Sequence, residues 1–383
     1  MLKKIFLFST AIALFSNVIA QTNNESKTDS VSPKRLTDSV VKSSPFLITG
    51  SADGYYRFNF SNPKTGNNNY TSFTNSNNSF ELGMASVRAD HSFGKASATI
   101  DLGFGKRAED FSYNDGSHPT LFAVKQLFIS YQATSAIKLT MGKWGTHIGC
   151  EVLDAFLNRN YSMDYMFSYG PFFHTGLKAD VSLSATTSFM AGIANPSDFS
   201  STSSSTKVFL AQFSTGTKNG RLKASLNYQG YSGVSDSMAI HSGYLYKGLS
   251  QFDLVINGTI SNKLGIVFNS SIQSIKNVDD SKASWWGTAA YLNYDPTSVF
   301  GLTLRAEYFS DKHNIKICCI DGNTGSGINI FDLTLSANFK IGNNLIIIPE
   351  IRFDNGSDYL FYKSDGTTTK STVSGLLAAI YHF

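Results

Sequence analysis

Residues 329–354 read NIFDLTLSANFKIGNNLIIIPEIRFD. Phe331, Leu333, Leu335, Ala337 and Phe339 fall on one parity, and Asp332, Thr334, Ser336, Asn338 and Lys340 on the other. After Ile341-Gly342-Asn343 the pattern resumes, with Ile347, Pro349, Ile351 and Phe353 opposing Glu350, Arg352 and Asp354. Successive side chains of a strand point to opposite faces, so this period of two marks two strands, each with one apolar and one polar face.

Working outward, the same alternation recurs. Phe46, Ile48, Gly50, Ala52, Gly54, Tyr56, Phe58 and Phe60 oppose Thr49, Ser51, Asp53, Arg57 and Asn59, and Leu302, Leu304, Ala306 and Tyr308 oppose Thr303, Arg305 and Glu307. Sixteen such strands can be drawn between residues 46 and 383. Long connections (61–79, 105–120, 144–171, 194–205, 232–247, 276–282, 312–328 and 355–371) interleave with short ones, such as Gly94, 133–135, Ser182 and 341–343. A Greek-key sandwich would not give that order. An up-and-down antiparallel barrel with all its long loops at one end would. In hydrocarbon every backbone N–H and C=O needs an internal partner, so a sheet crossing a bilayer must close on itself. Outward aromatics such as Tyr56, Phe60, Tyr228, Trp286, Tyr294 and Tyr308 suit the interfacial girdles.

Composition agrees and excludes alternatives. Only 16% of the 383 residues are charged while 13% are aromatic, against roughly 25% charged in average soluble proteins. No interior apolar run is long enough for a membrane helix, and the mean hydropathy is −0.11. The formal net charge of +4 falls to +2 without Lys3 and Lys4, so nothing suggests a nucleic-acid partner. Three cysteines are too few for a disulfide scaffold.

Residues 1–20 have the three parts of a signal peptide: Lys3-Lys4, an apolar core from Ile5 to Phe15, and Val18-Ile19-Ala20 before Gln21. Residues 21–45 are polar and read as a periplasmic linker, leaving 46–383 for the barrel. At the other end Leu377, Ala379, Tyr381 and Phe383 share a face and finish on an aromatic residue, a pattern that looks like the signal read by the outer-membrane barrel-assembly machinery.

The most distinctive stretch runs from Gly142-Lys143-Trp144 through Gly149, Glu151, Asn158, Asn160-Tyr161-Ser162 and Pro171 to His174-Thr175-Gly176-Leu177-Lys178. It resembles the OmpL-like β-barrel porin family, a type common in Bacteroidetes. Cys150 departs from that pattern. The resemblance implies an outer-membrane porin and supplies no substrate.

Read from its residues alone, 144–171 is the longest interior connection, and a long ordered loop usually carries a function. It either folds into the lumen or lies across the mouth. Glu151 to Leu157 could form a short helix. If the loop enters, Glu151, Asp154, Arg159 and Asp164 form the constriction. By strand parity, Arg57, Arg88, Asp90, Lys178, Asp180, Arg305, Glu307, Glu350, Arg352 and Asp354 line the pore, together with Asp53, Asp101, Arg221, Lys223, Asp253, Asp332 and Lys340. An Arg or Lys pointed at mid-bilayer lipid would cost roughly 2–4 kcal/mol, which favours the inward assignment.

Other constellations carry less. The seven histidines show no metal-ligand spacing, and there is no Cys-x-x-Cys. No catalytic group, metal or cofactor is expected. Asp279-Asp280 and Asp321-Gly322-Asn323 read as solvated loop tips rather than calcium ligands. In an oxidising compartment Cys150 could pair with Cys318 or Cys319. The chain reads as a passive porin for small hydrophilic solutes with weak ion selectivity, held in outer-membrane lipid and open to homo-oligomer formation. The alternatives are a substrate-specific transporter barrel and a structural or surface-recognition barrel without an open pore.

Overall fold

The computed structural model describes residues 46–383 except 65, 116–118, 203–205, 233–245, 278 and 318–326. Its strands are β1 (Leu47–Asn59), β2 (Ser79–Phe93), β3 (Ala96–Phe104), β4 (Val124–Gln132), β5 (Ile137–Gly145), β6 (Phe173–Ser182), β7 (Ser188–Ala194) and β8 (Val208–Gly216). There follow β9 (Leu222–Ser232), β10 (Tyr246–Ser261), β11 (Leu264–Asn277), β12 (Lys282–Tyr294), β13 (Phe300–Asp311), β14 (Ile328–Ile341), β15 (Leu345–Gly356), β16 (Phe361–Tyr362), β17 (Thr368–Thr369) and β18 (Ser371–His382). Sixteen of these form one closed antiparallel barrel in which each strand pairs with its chain neighbours, and β18 closes on β1 and β15. Gly50 and Phe383 exchange both backbone hydrogen bonds at 3.0 Å, so the terminal phenylalanine is part of the seam.

The alternation read from the sequence is the wall itself. On β14 the side chains of Phe331, Leu333, Leu335 and Phe339 are exposed on the outside, while Asp332, Thr334 and Ser336 are fully buried within. This inverts the soluble-protein arrangement and is what a barrel surrounded by hydrocarbon requires. No helix among the described residues is long and apolar enough to span a membrane.

Four local expectations are corrected. The 276–282 connection contracts to 278–281, because Lys276 and Asn277 still pair across the β11–β12 and β10–β11 ladders. Ser182 is not a one-residue turn: β7 begins only at Ser188, and Leu183 and Ser184 close the turn by donating to the Thr187 carbonyl. Arg221 sits in the exposed turn before β9 rather than on the wall. No helix spans 151–157. A 3-10 turn over Ala155–Leu157 takes its place, since Asn158 folds back to accept from Val152 N (3.0 Å) and donate to its carbonyl (2.6 Å). Helices occur instead at Lys106–Phe111, Pro119–Phe122 and Tyr165–Tyr169.

Candidate functional site

The β5–β6 pair launches and recovers the longest connection, and its glycines have a steric reason. Gly142 and Gly176 face each other across the ladder. Gly142 has φ +135°, and a Cβ there would collide with the Leu127 carbonyl; one on Gly176 would collide with the Ile193 carbonyl. The backbones therefore pack where side chains cannot. Lys143 points inward with its Nζ 3.8 Å from the Phe173 ring centre and 3.5 Å from Asp115. His174 is buried, 3.3 Å from Thr146 Oγ1, with its ring 5.3 Å from that of His147. Thr175 is half-buried, Pro171 is buried at the return, and Lys178 lies over Trp144 and 3.7 Å from Asp180. A Gly142→Ala variant combines an unfavourable φ with overpacking and should cost about 2–5 kcal/mol. It is expected to lose most of the folded, heat-modifiable band on a semi-native gel; a wild-type yield would mean that the strand shifts to admit a methyl group.

From this pair the segment 146–172 runs inside the barrel. The wall holds it mainly by its backbone. Glu350 accepts from the N–H groups of Tyr161 (2.8 Å) and Ser162 (3.2 Å). Glu307 accepts from Tyr165 N (2.7 Å) and Met166 N (2.9 Å), while Asp164 caps the helix Tyr165–Tyr169 by accepting from Phe167 N (2.6 Å). Those are the N–H groups a helix start leaves without partners. Arg305 donates to the Ser162 carbonyl (2.7 Å) and Arg352 to the Met163 carbonyl (2.7 Å). Asn160 donates to Ser336 Oγ (2.6 Å), and the Tyr161 hydroxyl donates to Asp53 (2.5 Å).

Most of the charges expected to line a pore are consumed here. Arg305 pairs with Glu151 (2.8 Å) and Asp332 (3.1 Å), and Arg352 with Asp332 (2.6 Å) and Asp354 (2.9 Å). Asp154 meets Lys125 at 2.5 Å, Arg159 meets Asp295 at 2.6 Å, and Tyr291 donates to both Asp164 (2.8 Å) and Glu151 (3.1 Å). The four residues expected at a constriction are thus turned onto wall partners. Burial and the neighbouring Asp164 carboxylate lift the Glu151 pKa to about 7, even against Arg305. Arg88 and Asp90 bridge each other at 2.7 Å, half-buried. Lys223 and Lys340 are half-buried at strand ends.

Two more connections enter. Arg57 donates to the carbonyls of Asn67 (2.8 Å) and Ser76 (2.7 Å), holding 61–78 inside. Arg107, fully buried on the helix Lys106–Phe111, donates to the Leu153 (3.2 Å) and Tyr161 (3.3 Å) carbonyls and lies over the Phe73 and Tyr161 rings. The filling therefore gathers against β1–β6 and β13–β15.

The opposite wall, β8 to β12, carries amides. Gln229, Gln251, Gln273 and Trp285 face one another across successive ladders and are joined by hydrogen bonds of 2.7, 3.0 and 3.1 Å. Beneath them Asn227 (2.7 Å) and Asn269 (2.6 Å) donate to Asp253, as does Gly149 N (3.0 Å) from the inserted segment. His147 Nε2 reaches the Tyr228 carbonyl at 3.0 Å. On the inner face of β10, Leu249 lines a cavity of about 530 Å³ and Asn257 one of about 30 Å³. Asp253, which accepts from Gly149 N, lies on β10 between Leu249 and Asn257. Sequence reasoning passed over Arg107, Lys125 and the glutamine row. The row's parity, shared with Asn227 and Asp253, was the available signal. Cys150 is a buried free thiol; Cys318 and Cys319 lie outside the described residues, as do the Asp321-Gly322-Asn323 tip, His118 and His241. No group of side chains among the described residues could hold a metal ion.

A closed sixteen-stranded barrel, apolar outside and with its longest connection folded into the lumen, defines the class of outer-membrane porins. The chain belongs to the family described as "Putative beta-barrel porin-2, OmpL-like", whose model matches residues 45–383. No curated protein matches the sequence. Among solved structures it is similar to an anion-selective porin from Comamonas acidovorans (10% identity, 89% of this chain and 100% of that one, TM-score 0.59). OmpT of Vibrio cholerae is also similar (12%, 88% and 97%, TM-score 0.55), as is the outer-membrane channel DcaP of Acinetobacter baumannii (12%, 88% and 97%, TM-score 0.55). At these identities the likeness is one of fold.

Proposed function

We propose that this outer-membrane porin is a passive channel for small hydrophilic solutes, without enzymatic activity, whose path runs off-centre along the amide wall of β8–β12. The observation that carries the reading is the uneven filling: 61–78 and 146–172 are pinned by wall charges, the helix Lys106–Phe111 is tied to 146–172 through Arg107, and the cavities lie on the amide side. The narrowest point is the contact of Gly149 with Asp253. Residues 1–20 serve as the export signal, 21–45 as the linker, and Phe383 as the feature met by the assembly machinery. A trimer form of Vibrio cholerae OmpT has been solved, and homo-oligomer formation is part of this proposal.

Ion selectivity is expected to be weak. Arg305 and Arg352 are neutralised by Glu151, Asp332 and Asp354, so no ladder of unpaired charge faces the path. Asp253 differs, since its hydrogen bonds come from neutral N–H groups and leave its charge uncompensated. A narrow low-dielectric passage focuses such a field, which favours cations. Reversal potential across a KCl gradient in a planar bilayer should show a modest cation preference that Asp253→Asn removes. A strongly anion-selective pore would sink the reading of the path, and a barrel that conducts nothing would favour a structural role.

A further inference from the structure

The larger cavity, at the long-loop end of the amide wall, encloses about 530 Å³, within the range of sites that take small molecules. Two chemistries build it. Tyr169, Phe172 and Tyr231 present aromatic rings, and Gln229 and Gln273 present the upper amide row. Its carboxylates have protein neighbours. Asp110 is held by Lys106 at 2.6 Å, and Asp198 accepts from Phe172 N (2.6 Å), Phe173 N (3.0 Å) and the Tyr113 hydroxyl (3.2 Å) while interacting electrostatically with Lys316. Two of its lining residues carry a buried atom without a hydrogen-bond partner, Asp110 at Oδ2 and Tyr231 at its hydroxyl. Tyr231 is 7% exposed and lines the cavity, yet its buried hydroxyl makes no hydrogen bond. A buried hydroxyl usually has a partner, so one left open beside a cavity points to a ligand.

We propose that this cavity binds a neutral saccharide, the solute class for which the channel selects. A sugar ring has apolar C–H faces that pack on aromatic rings. Its edge carries hydroxyls that both donate and accept, matching amides, which do the same, and the open Tyr231 hydroxyl. A neutral solute leaves the Asp110–Lys106 pair and the hydrogen bonds to Asp198 in place. The proposal rests on the channel reading above, and its test separates the two.

The purified barrel is titrated with maltotriose by calorimetry in detergent, and the same sugar is added to single channels in a planar bilayer. Saturable binding in the millimolar range or tighter is expected, with concentration-dependent interruption of the KCl current. A dipeptide and a diamine of similar size should interrupt it at least tenfold less well. Tyr231→Phe keeps the ring and removes the hydroxyl, and should weaken maltotriose about fivefold. Tyr231→Phe binding as tightly as wild type, or current without saccharide binding, or equal interruption by charged probes, would each overturn the saccharide site while leaving the channel standing. Saccharide binding by a barrel that carries no current would keep the site and overturn the channel.

Discussion

Arg305→Met should release the inserted segment and raise single-channel conductance several-fold. The guanidinium is fully buried and holds five groups together: the Ser162 and Met163 carbonyls, Glu151, Asp332 and Thr334. Methionine keeps much of the volume and removes every donor. Glu151 and Asp332 would then share a buried space with one cation fewer, and removing one partner of a buried ion pair costs about 3–5 kcal/mol. The barrel ladders do not depend on Arg305, so the strain is relieved most cheaply by undocking 146–172 and letting water reach the carboxylates. Trypsin cleavage after Arg159 in the folded barrel should appear with the conductance change. Deleting 150–165 should give a similar rise, because it removes the same obstruction. A folded Arg305→Met barrel with wild-type conductance and no new cleavage would show that the backbone bonds to Glu350 and Glu307 hold the segment unaided.

The barrel wall was readable because membrane strands write their orientation in parity: Leu333 and Leu335 outside and Asp332 and Thr334 inside follow from a period of two. The interleaving of long and short connections gave the topology, and it misled at 276–282, where polar strand ends look like loop, and at Ser182, where the turn runs on to Thr187. The docking of 146–172 was not readable. Its principal bonds join wall carboxylates and guanidinia to backbone N–H and C=O groups, and every residue type carries those. Arg305, Arg352, Glu307 and Glu350 are buried on the inner face, but sequence gives no way to tell a charge that meets water from one that meets a loop. Arg107 sat in a connection with no periodic signal at all. The glutamine row was visible in parity yet chemically bland, since an inward Gln serves equally to line water, a ladder or a ligand.

The second large effect is on pH. Glu151 lies on the inserted segment, faces Asp164, Arg305, Tyr291 and Cys150, and titrates at about 7 when docked. With the segment released into water it would return to its ordinary value of 4.5. The docked form therefore binds a proton more tightly than the released one, and docking is fully favoured below pH 4.5 and loses that advantage as pH rises through about 7. At 1.36 kcal/mol per pKa unit the difference across this window is about 3 kcal/mol. Current recorded at pH 5 should be low and quiet, and at pH 8 higher and noisier, as 146–172 spends more time away from the wall. Glu151→Gln removes the titration and keeps an acceptor oxygen for Arg305, while its amide nitrogen replaces the oxygen that Asp164 N meets, so its trace should change little between pH 5 and pH 8. Identical wild-type records at both values would mean that the segment never leaves the wall, and a pH dependence that Glu151→Gln retains would mean that the neighbouring acids, not Glu151, take up the proton. Trypsin cleavage after Arg159, followed over the same pH range, checks the first, because a segment that never leaves the wall keeps that site protected throughout.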